Sequence, residues 1–172
     1  MAQQANTHRD LCMIMAKYML KQAWCDIACW EIAYNDGFVD VIGLSSPLKK
    51  EERIVAIEVK RTRADLLADI GRKKFLKYEQ GSTHCYLAAT ASALGLNKKK
   101  DKQVDLKDLE ERGLPKYWGI IVLPSHGWSE PFILRPAKRY GKVIPGRQLE
   151  LVIKIAASFA HRVLSKASPL EE

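Results

Sequence analysis

Apolar residues recur along this chain with two different periods, and the succession of these periods predicts an α/β fold. Thr7 is a candidate helix cap with Asp10 three residues later, and apolar side chains then recur three and four residues apart. This spacing is typical of an amphipathic helix, which we predict over residues 9–23. Three extended runs follow, separated by turn signals, and they predict a meander of strands at residues 26–33, 38–44 and 54–60.

The third of these strands is apolar on both faces. Val55, Ile57 and Val59 point to one side, and Ile54 and Ala56 point to the other. A strand of this kind is covered on both sides, so we expect a mixed sheet flanked by helices.

The later elements follow the same reasoning. A second helix is predicted over residues 63–78, with Thr62 as its cap and Gly81 beyond its end. Further strands are predicted at residues 85–89, 117–123 and 131–134. A last helix is predicted over residues 148–165, and we expect its apolar stripe to face the core. That stripe consists of Val152, Ile155, Ala156, Phe159, Ala160 and Val163.

Length and charge narrow the class of protein. The 172 residues fit a single domain, 1–172. The segment 92–116 is rich in lysine and poor in apolar residues, so we predict a surface insertion in which residues 106–112 are a candidate helix. The formal net charge of +8 favours a polyanionic partner, and nucleic acid is the leading candidate.

The four cysteines indicate a reduced, cytoplasmic protein. They form neither a paired Cys-x-x-Cys set nor a secreted-type framework, so we expect core packing. A zinc site that combines Cys25, Cys29, His84 and Cys85 is the less favoured alternative, because its spacing is not standard. No run of about 18 apolar residues is present, so no membrane partner is expected.

Candidate chemistry appears where charged residues interrupt apolar strands. Asp40 lies in the second predicted strand, and Glu58 and Lys60 end the third. Residues two apart in a strand share a face, and an antiparallel pairing of these strands would bring Asp40 beside Glu58. Burying two carboxylates is costly unless a cation compensates, and Mg²⁺ or Mn²⁺ is the expected one. The backbone carbonyl of Val59 is a further candidate ligand, and Lys60 would orient or activate water or stabilise transition-state charge.

Three other residues near this pattern have two readings each. Glu31 shares a predicted face with Cys29 and would complete the metal shell, although a solvated strand end or ion pair explains it equally well. Lys74 falls within the apolar stripe of the second helix, and we favour a phosphate contact over a side chain that only reaches solvent. Asp69 is expected to pair with neighbouring Arg72 or Lys73 rather than to take part in catalysis.

At these residues the chain resembles the PD-(D/E)XK nuclease superfamily. Asp40 takes the first acidic position and Glu58-Val59-Lys60 takes the (D/E)XK position, 18 residues later, while Val39 replaces the proline. Within the superfamily the chain is most similar to the MmcB group of DNA-repair endonucleases, through Glu31 and through Arg63-Ala64-Asp65 with Asp69. The resemblance implies a single-domain, restriction-endonuclease-like core. It also implies roles for Lys74 and Tyr78, which match the family's lysine and tyrosine in kind but lie a few residues later.

Basic side chains around the candidate site are predicted to contact the DNA backbone. The predicted DNA contacts are Arg61, Arg63, Lys74, Tyr78, Lys98, Lys99 and Lys100. A solvated basic surface is the alternative for such runs. No helix-turn-helix, zinc finger or RNA-recognition motif is visible, so sequence-specific binding is unsupported.

These observations together predict a Mg²⁺- or Mn²⁺-dependent DNA endonuclease of repair or recombination, with Asp40, Glu58 and Lys60 as catalytic residues. A resolvase of Holliday junctions or other branched DNA is the nearest alternative, and a homodimer would favour it. The second alternative is a DNA-binding or scaffold protein on a nuclease fold. A binding module gains little from buried acids that face an anionic ligand, so we favour the enzyme.

Overall fold

The computed structural model describes residues 7–34, 37–46, 52–74, 76–96, 106–124, 130–144 and 146–164. The helices are α1 (His8–Lys21), α2 (Arg63–Gly71), α3 (Leu76–Glu79), α4 (Leu106–Glu111) and α5 (Arg147–Leu164). The strands are β1 (Ile27–Tyr34), β2 (Gly37–Leu44), β3 (Ile54–Lys60), β4 (His84–Thr90), β5 (Gly119–Leu123) and β6 (Phe132–Arg135).

The six strands form one mixed sheet in the order β1-β2-β3-β4-β5-β6. β1, β2 and β3 pair antiparallel, which confirms the predicted meander. β4 and β5 then pair parallel to β3, and β6 returns antiparallel at the far edge. β3 and β4 are buried along their whole lengths, because they lie at the centre of the sheet with side chains covered on both faces.

Two hydrophobic cores cover the two faces of the sheet. On one face α1 packs Leu11, Met15 and Met19 against Val55 and Ile57 of β3. On the other face, side chains of α2, α3, α4 and α5 pack against the opposite side chains of the strands. The predicted α/β class, with a mixed sheet between helices, is confirmed.

The cysteines contribute to both cores. Cys12 and Cys25 lie on the α1 face, whereas Cys29 and Cys85 lie on the other. All four are buried free thiols, which confirms core packing. Because Cys25 is separated from Cys29 and Cys85 by the sheet, the alternative zinc site is not assembled.

The helix predicted over residues 63–78 is wrong in extent, because α2 ends at Gly71 and α3 begins at Leu76. Lys73 has a left-handed backbone, with φ of 50°. The amide of Lys73 bonds the carbonyl of Ile70 at 3.0 Å, and that of Lys74 bonds the carbonyl of Asp69 at 3.2 Å. These bonds form a Schellman cap, which usually places glycine at the left-handed position. With lysine there, the sequence carries no obvious stop signal.

The segment 92–116 is more than a surface insertion. Among its described residues, Leu94, Leu109 and Leu114 are buried in the core opposite α1. The candidate helix within the segment is confirmed as α4. Lys98, Lys99 and Lys100 lie outside the described residues.

The orientation predicted for the last helix is also wrong. α5 buries Leu151 and Ile155, whereas Val152, Ile153 and Phe159 are exposed. The predicted stripe therefore faces the core only at Ile155, among the positions whose side chains are described. None of the helices in the described part of the chain is both long and apolar enough to cross a membrane.

Candidate active site

The site begins where β2 and β3 separate. Their pairing runs from Leu44 with Ile54 to Val41 with Ile57 and stops there. Asp40, the next residue, places its carboxylate in the gap and accepts a hydrogen bond from the amide of Val59, from N to Oδ2, at 2.7 Å. The side chain of Asp40 therefore takes the place of a strand partner and brings a carboxylate to the end of β3, as predicted from the sequence.

A kink in β1 lies opposite Asp40. Glu31 has φ of 51°, a left-handed conformation that costs a non-glycine residue about 1–2 kcal/mol. Trp30 consequently packs on the α1 side, while Ile32, two residues later, packs on the other side. Glu31 therefore does not share the face of Cys29 as the alternation predicted. Its carboxylate instead contributes to raising the pKa of His8 on α1.

Glu58 and Lys60 lie together beneath α2. Their side chains are 4% and 9% exposed, and Nζ of Lys60 is 2.5 Å from Oε1 of Glu58. The same ammonium is 2.6 Å from Oδ2 of Asp69 on α2. Burial opposes a charged lysine, but Glu58 and Asp69 outweigh it and raise the pKa of Lys60. Lys60 is therefore an ammonium ion at neutral pH.

Asp69 is a site residue that the sequence analysis missed, because we expected it to pair with Arg72 or Lys73. It lies on the α2 face that also buries Leu66 and Ile70. An acid at i+3 from one core residue and next to another was the signal that could have identified it. The Schellman cap then turns Lys74 back, so its Nζ is 3.4 Å from Asp69 and 3.7 Å from Glu58.

The two carboxylates of the predicted metal site differ in their electrostatics. Burial and the neighbouring charge of Asp40 raise the pKa of Glu58. Burial acts on Asp40 in the same direction, but hydrogen bonds from His8 and from the Val59 amide outweigh it and lower the pKa of Asp40. Oε2 of Glu58 is buried without a hydrogen-bond partner among the described residues. The unfavourable part of the site is therefore concentrated on Glu58.

His8 approaches the same carboxylates from α1. Thr7 caps this helix in a capping box with Asp10, as predicted, which places His8 at the first helical position. Nε2 of His8 is 3.5 Å from Oδ1 of Asp40. The hydrogen bond to Asp40 is the main cause that raises the pKa of His8. The sequence offered no pattern that links this histidine to Asp40, because the two residues meet only through the packing of α1 on the sheet.

A cleft of about 400 Å³ opens beside these groups. It is lined by His8, Val59, Lys60, Arg61, Thr62 and Asp65. The hydroxyl of Thr62 accepts a hydrogen bond from the amide of Asp65 at 3.2 Å, which confirms this residue pair as the start of α2. The cleft thus leads from solvent past Arg61 to the ammonium of Lys60.

The predicted DNA contacts have different surroundings. Arg61 is exposed at the cleft, and Lys74 is 46% exposed beside the carboxylates. Arg63 instead pairs with Asp108 of α4 at 2.9 Å and is 40% exposed. Tyr78 is only 1% exposed, and its hydroxyl donates to the carbonyl of Phe38 at 3.1 Å. This burial contradicts a DNA contact by Tyr78, which packs α3 against the sheet.

The donor set suits a cation that keeps water in its shell. Among the described residues, no group of three or more His, Cys, Asp or Glu side chains could hold a metal ion. Asp40 and Glu58 supply two carboxylates, and the buried, unpartnered Oε2 of Glu58 is an oxygen that lacks a positive partner. Mg²⁺ is commonly held by one or two carboxylates, with water and substrate phosphate completing six oxygens. The residues therefore fit Mg²⁺ or Mn²⁺, with the Val59 carbonyl and Glu31 as predicted further ligands.

Comparisons with known proteins establish the fold. No family model matches the chain, and no curated protein is significantly similar to it in sequence. Among solved structures, the chain is similar to SPO1766, a protein of unknown function from Silicibacter pomeroyi, with a TM-score of 0.63 and 22% sequence identity. The match covers 94% of this chain and 92% of the other. At this identity the similarity shows a shared fold alone, so membership of the nuclease superfamily stays a prediction.

Proposed function

We propose that this protein is a divalent-metal-dependent DNA endonuclease that hydrolyses phosphodiester bonds in DNA repair or recombination. The observation that carries the proposal is the buried carboxylate of Glu58, which lies beside a second acid and leaves one oxygen without a partner. Such an arrangement is unfavourable for folding by itself, and strained or destabilised groups cluster at functional sites. A bound divalent cation would remove the imbalance.

Asp40 and Glu58 would hold the cation between β2 and β3. When bound, the ion supplies Lewis acidity and lowers the pKa of coordinated water. The amide of Val59 fixes one oxygen of Asp40, so that oxygen is already oriented. Glu58 has a free oxygen that faces no competing donor among the described residues. The chain thus contributes pre-oriented carboxylates rather than a complete metal shell.

Lys60 stabilises charge in this proposal. Its raised pKa keeps the ammonium protonated, which excludes it as the base that removes a proton from water near neutral pH. It instead donates hydrogen bonds toward the cleft and offsets negative charge as the phosphate becomes more anionic. Asp69 holds it in place at 2.6 Å, so we assign Asp69 as a positioning residue. Lys74 and Arg61 are the side chains available for the adjoining phosphates.

Cleavage by the purified protein tests this proposal directly. Linear, single-stranded, nicked, flapped and four-way-junction DNA should be incubated with Mg²⁺ or Mn²⁺, and with EDTA. We expect cleavage that depends on the metal and is lost in Asp40→Asn, Glu58→Gln and Lys60→Gln. The matched control is Glu150→Gln, which neutralises an acid on α5 and should cleave as wild type does.

DNA binding separates a loss of chemistry from a loss of substrate affinity. The three site variants should still bind DNA, since the basic side chains around the cleft are unchanged. Cleavage that persists in EDTA, or wild-type rates in Glu58→Gln, would contradict the proposed site. Binding without cleavage on every substrate would favour the DNA-binding or scaffold alternative. Selective cleavage of the four-way junction would favour the resolvase.

A further inference from the structure

α5 uses only one narrow face to pack on the rest of the chain. Leu151 is fully buried and Ile155 is 9% exposed, and both belong to the core opposite α1. A second face carries charges that satisfy one another, because Glu150 pairs with Arg147 and with Lys154, both at 2.7 Å. These two faces account for about half of the helix circumference.

The third face of α5 is apolar and exposed. Leu149, Ile153 and Phe159 are 65%, 59% and 68% exposed, and Val152 is 38% exposed. Among the described residues, four of the ten exposed large hydrophobic side chains lie on this single helix. We call this face the α5 seam, and it consists of Leu149, Val152, Ile153, Ala156, Phe159 and Ala160.

The spacing of the seam indicates the kind of partner. Leu149, Val152, Ala156 and Phe159 follow one another at intervals of three, four and three residues, which is the heptad spacing of helices that pair with helices. The small side chains of Ala156 and Ala160 would let a second helix approach closely. The seam exposes on the order of 400 Å² of apolar surface, the size of patch that monomeric proteins keep for an interaction.

We infer that the α5 seam is a homodimer interface, in which the helix pairs antiparallel with α5 of a second copy. The seam contains no charged residue, so it is complementary to itself across a two-fold axis. Two seams and their flanks together approach the roughly 1,200 Å² at which specific interfaces begin.

The charges beside the seam select the antiparallel arrangement. A crossing at Ala156 sets Glu150 of one copy close to His161 of the other, at the opposite end of the helix. A parallel arrangement would instead set Glu150 against Glu150. This inference does not depend on the proposed nuclease activity, because it rests on α5 alone.

Molar mass in solution tests the interface. Size-exclusion chromatography with light scattering, over a dilution series, should give twice the chain mass of 19.5 kDa at high concentration. Ile153→Glu and Phe159→Glu should each weaken the dimer by at least about tenfold in Kd, because the pairing would bury an unpaired carboxylate. The matched control is Leu20→Glu, which places the same charge at an exposed leucine of α1 and should leave the mass unchanged.

A cross-linking variant covers the case in which these substitutions disturb folding. Ala156→Cys lies at the proposed crossing, and the four native cysteines are buried and should not compete. Mild oxidation should give a disulfide-linked dimer on a non-reducing gel. The inference is overturned if the wild type is a monomer at every concentration. It is also overturned if dimerisation is unaffected in Ile153→Glu, or if Ala156→Cys gives no covalent dimer.

Discussion

Neutralising Glu58 should stabilise this protein when no metal is present. The Glu58→Gln variant keeps the size of the side chain and removes a charge that burial and Asp40 both disfavour. Lys60 keeps its second partner, because Asp69 lies 2.6 Å away. A neutral amide costs less to bury than a carboxylate that lacks a partner for one of its oxygens. The variant should therefore unfold at higher denaturant concentration than wild type in EDTA.

The expected magnitude follows from the direction of the pKa change. Each unit by which folding raises the pKa of a carboxyl costs about 1.4 kcal/mol of stability once the group is ionised. Since Glu58 is 4% exposed, solvent screening reduces this cost little. We expect Glu58→Gln to gain on the order of 1 kcal/mol in free energy of unfolding, or about 2–4 °C in melting temperature for a chain of this length.

The gain should depend on pH in one direction only. Because the pKa of Glu58 is higher in the folded than in the unfolded protein, the penalty is absent where both forms are protonated. It grows as the pH rises above the unfolded value of 4.5 and is complete above the folded pKa. The difference between variant and wild type should thus be largest near pH 8 and vanish toward pH 4.

Urea denaturation of both proteins in EDTA, at several pH values and fixed ionic strength, measures this difference. Added Mg²⁺ should stabilise the wild type and have little effect on the variant, since an ion that binds only the native site stabilises it by mass action. A variant clearly less stable than wild type in EDTA near pH 8 would refute the reasoning. Glu58 would then be a structural partner of Lys60.

Three further predictions concern single residues. Lys73→Gly should raise the free energy of unfolding by about 1 kcal/mol in urea denaturation, because glycine adopts the left-handed conformation without strain. Since Asp40 raises the pKa of His8, the stabilisation by protonated His8 is complete below pH 6.5 and lost as the pH rises through the folded value. His8→Ala should therefore lower the melting temperature more near pH 6 than near pH 8. Arg135→Ala removes an ion pair with Glu110 and hydrogen bonds to two backbone carbonyls, and should cost about 2–3 kcal/mol by chemical denaturation.

Local patterns in the sequence were sufficient for part of the fold and of the candidate site. The two-residue period of a strand puts Glu58 and Lys60 on one face, and the antiparallel meander brings Asp40 to the end of β3. The caps at Thr7 and Thr62 depend on contacts three residues apart, so they too are encoded locally. The mixed sheet between helices follows from strands that are apolar on both faces.

Contacts between distant residues decided the rest. Asp69 and His8 reach the site only because α2 and α1 pack on opposite faces of the sheet. The end of α2 depends on a left-handed lysine, which local preference does not predict. α5 has more apolar positions than one packing face can use, so periodicity alone offered several orientations, and contact with the core selected Leu151 and Ile155. Amino-acid pattern determines which faces can be buried, whereas the geometry of the assembled elements determines which of them are.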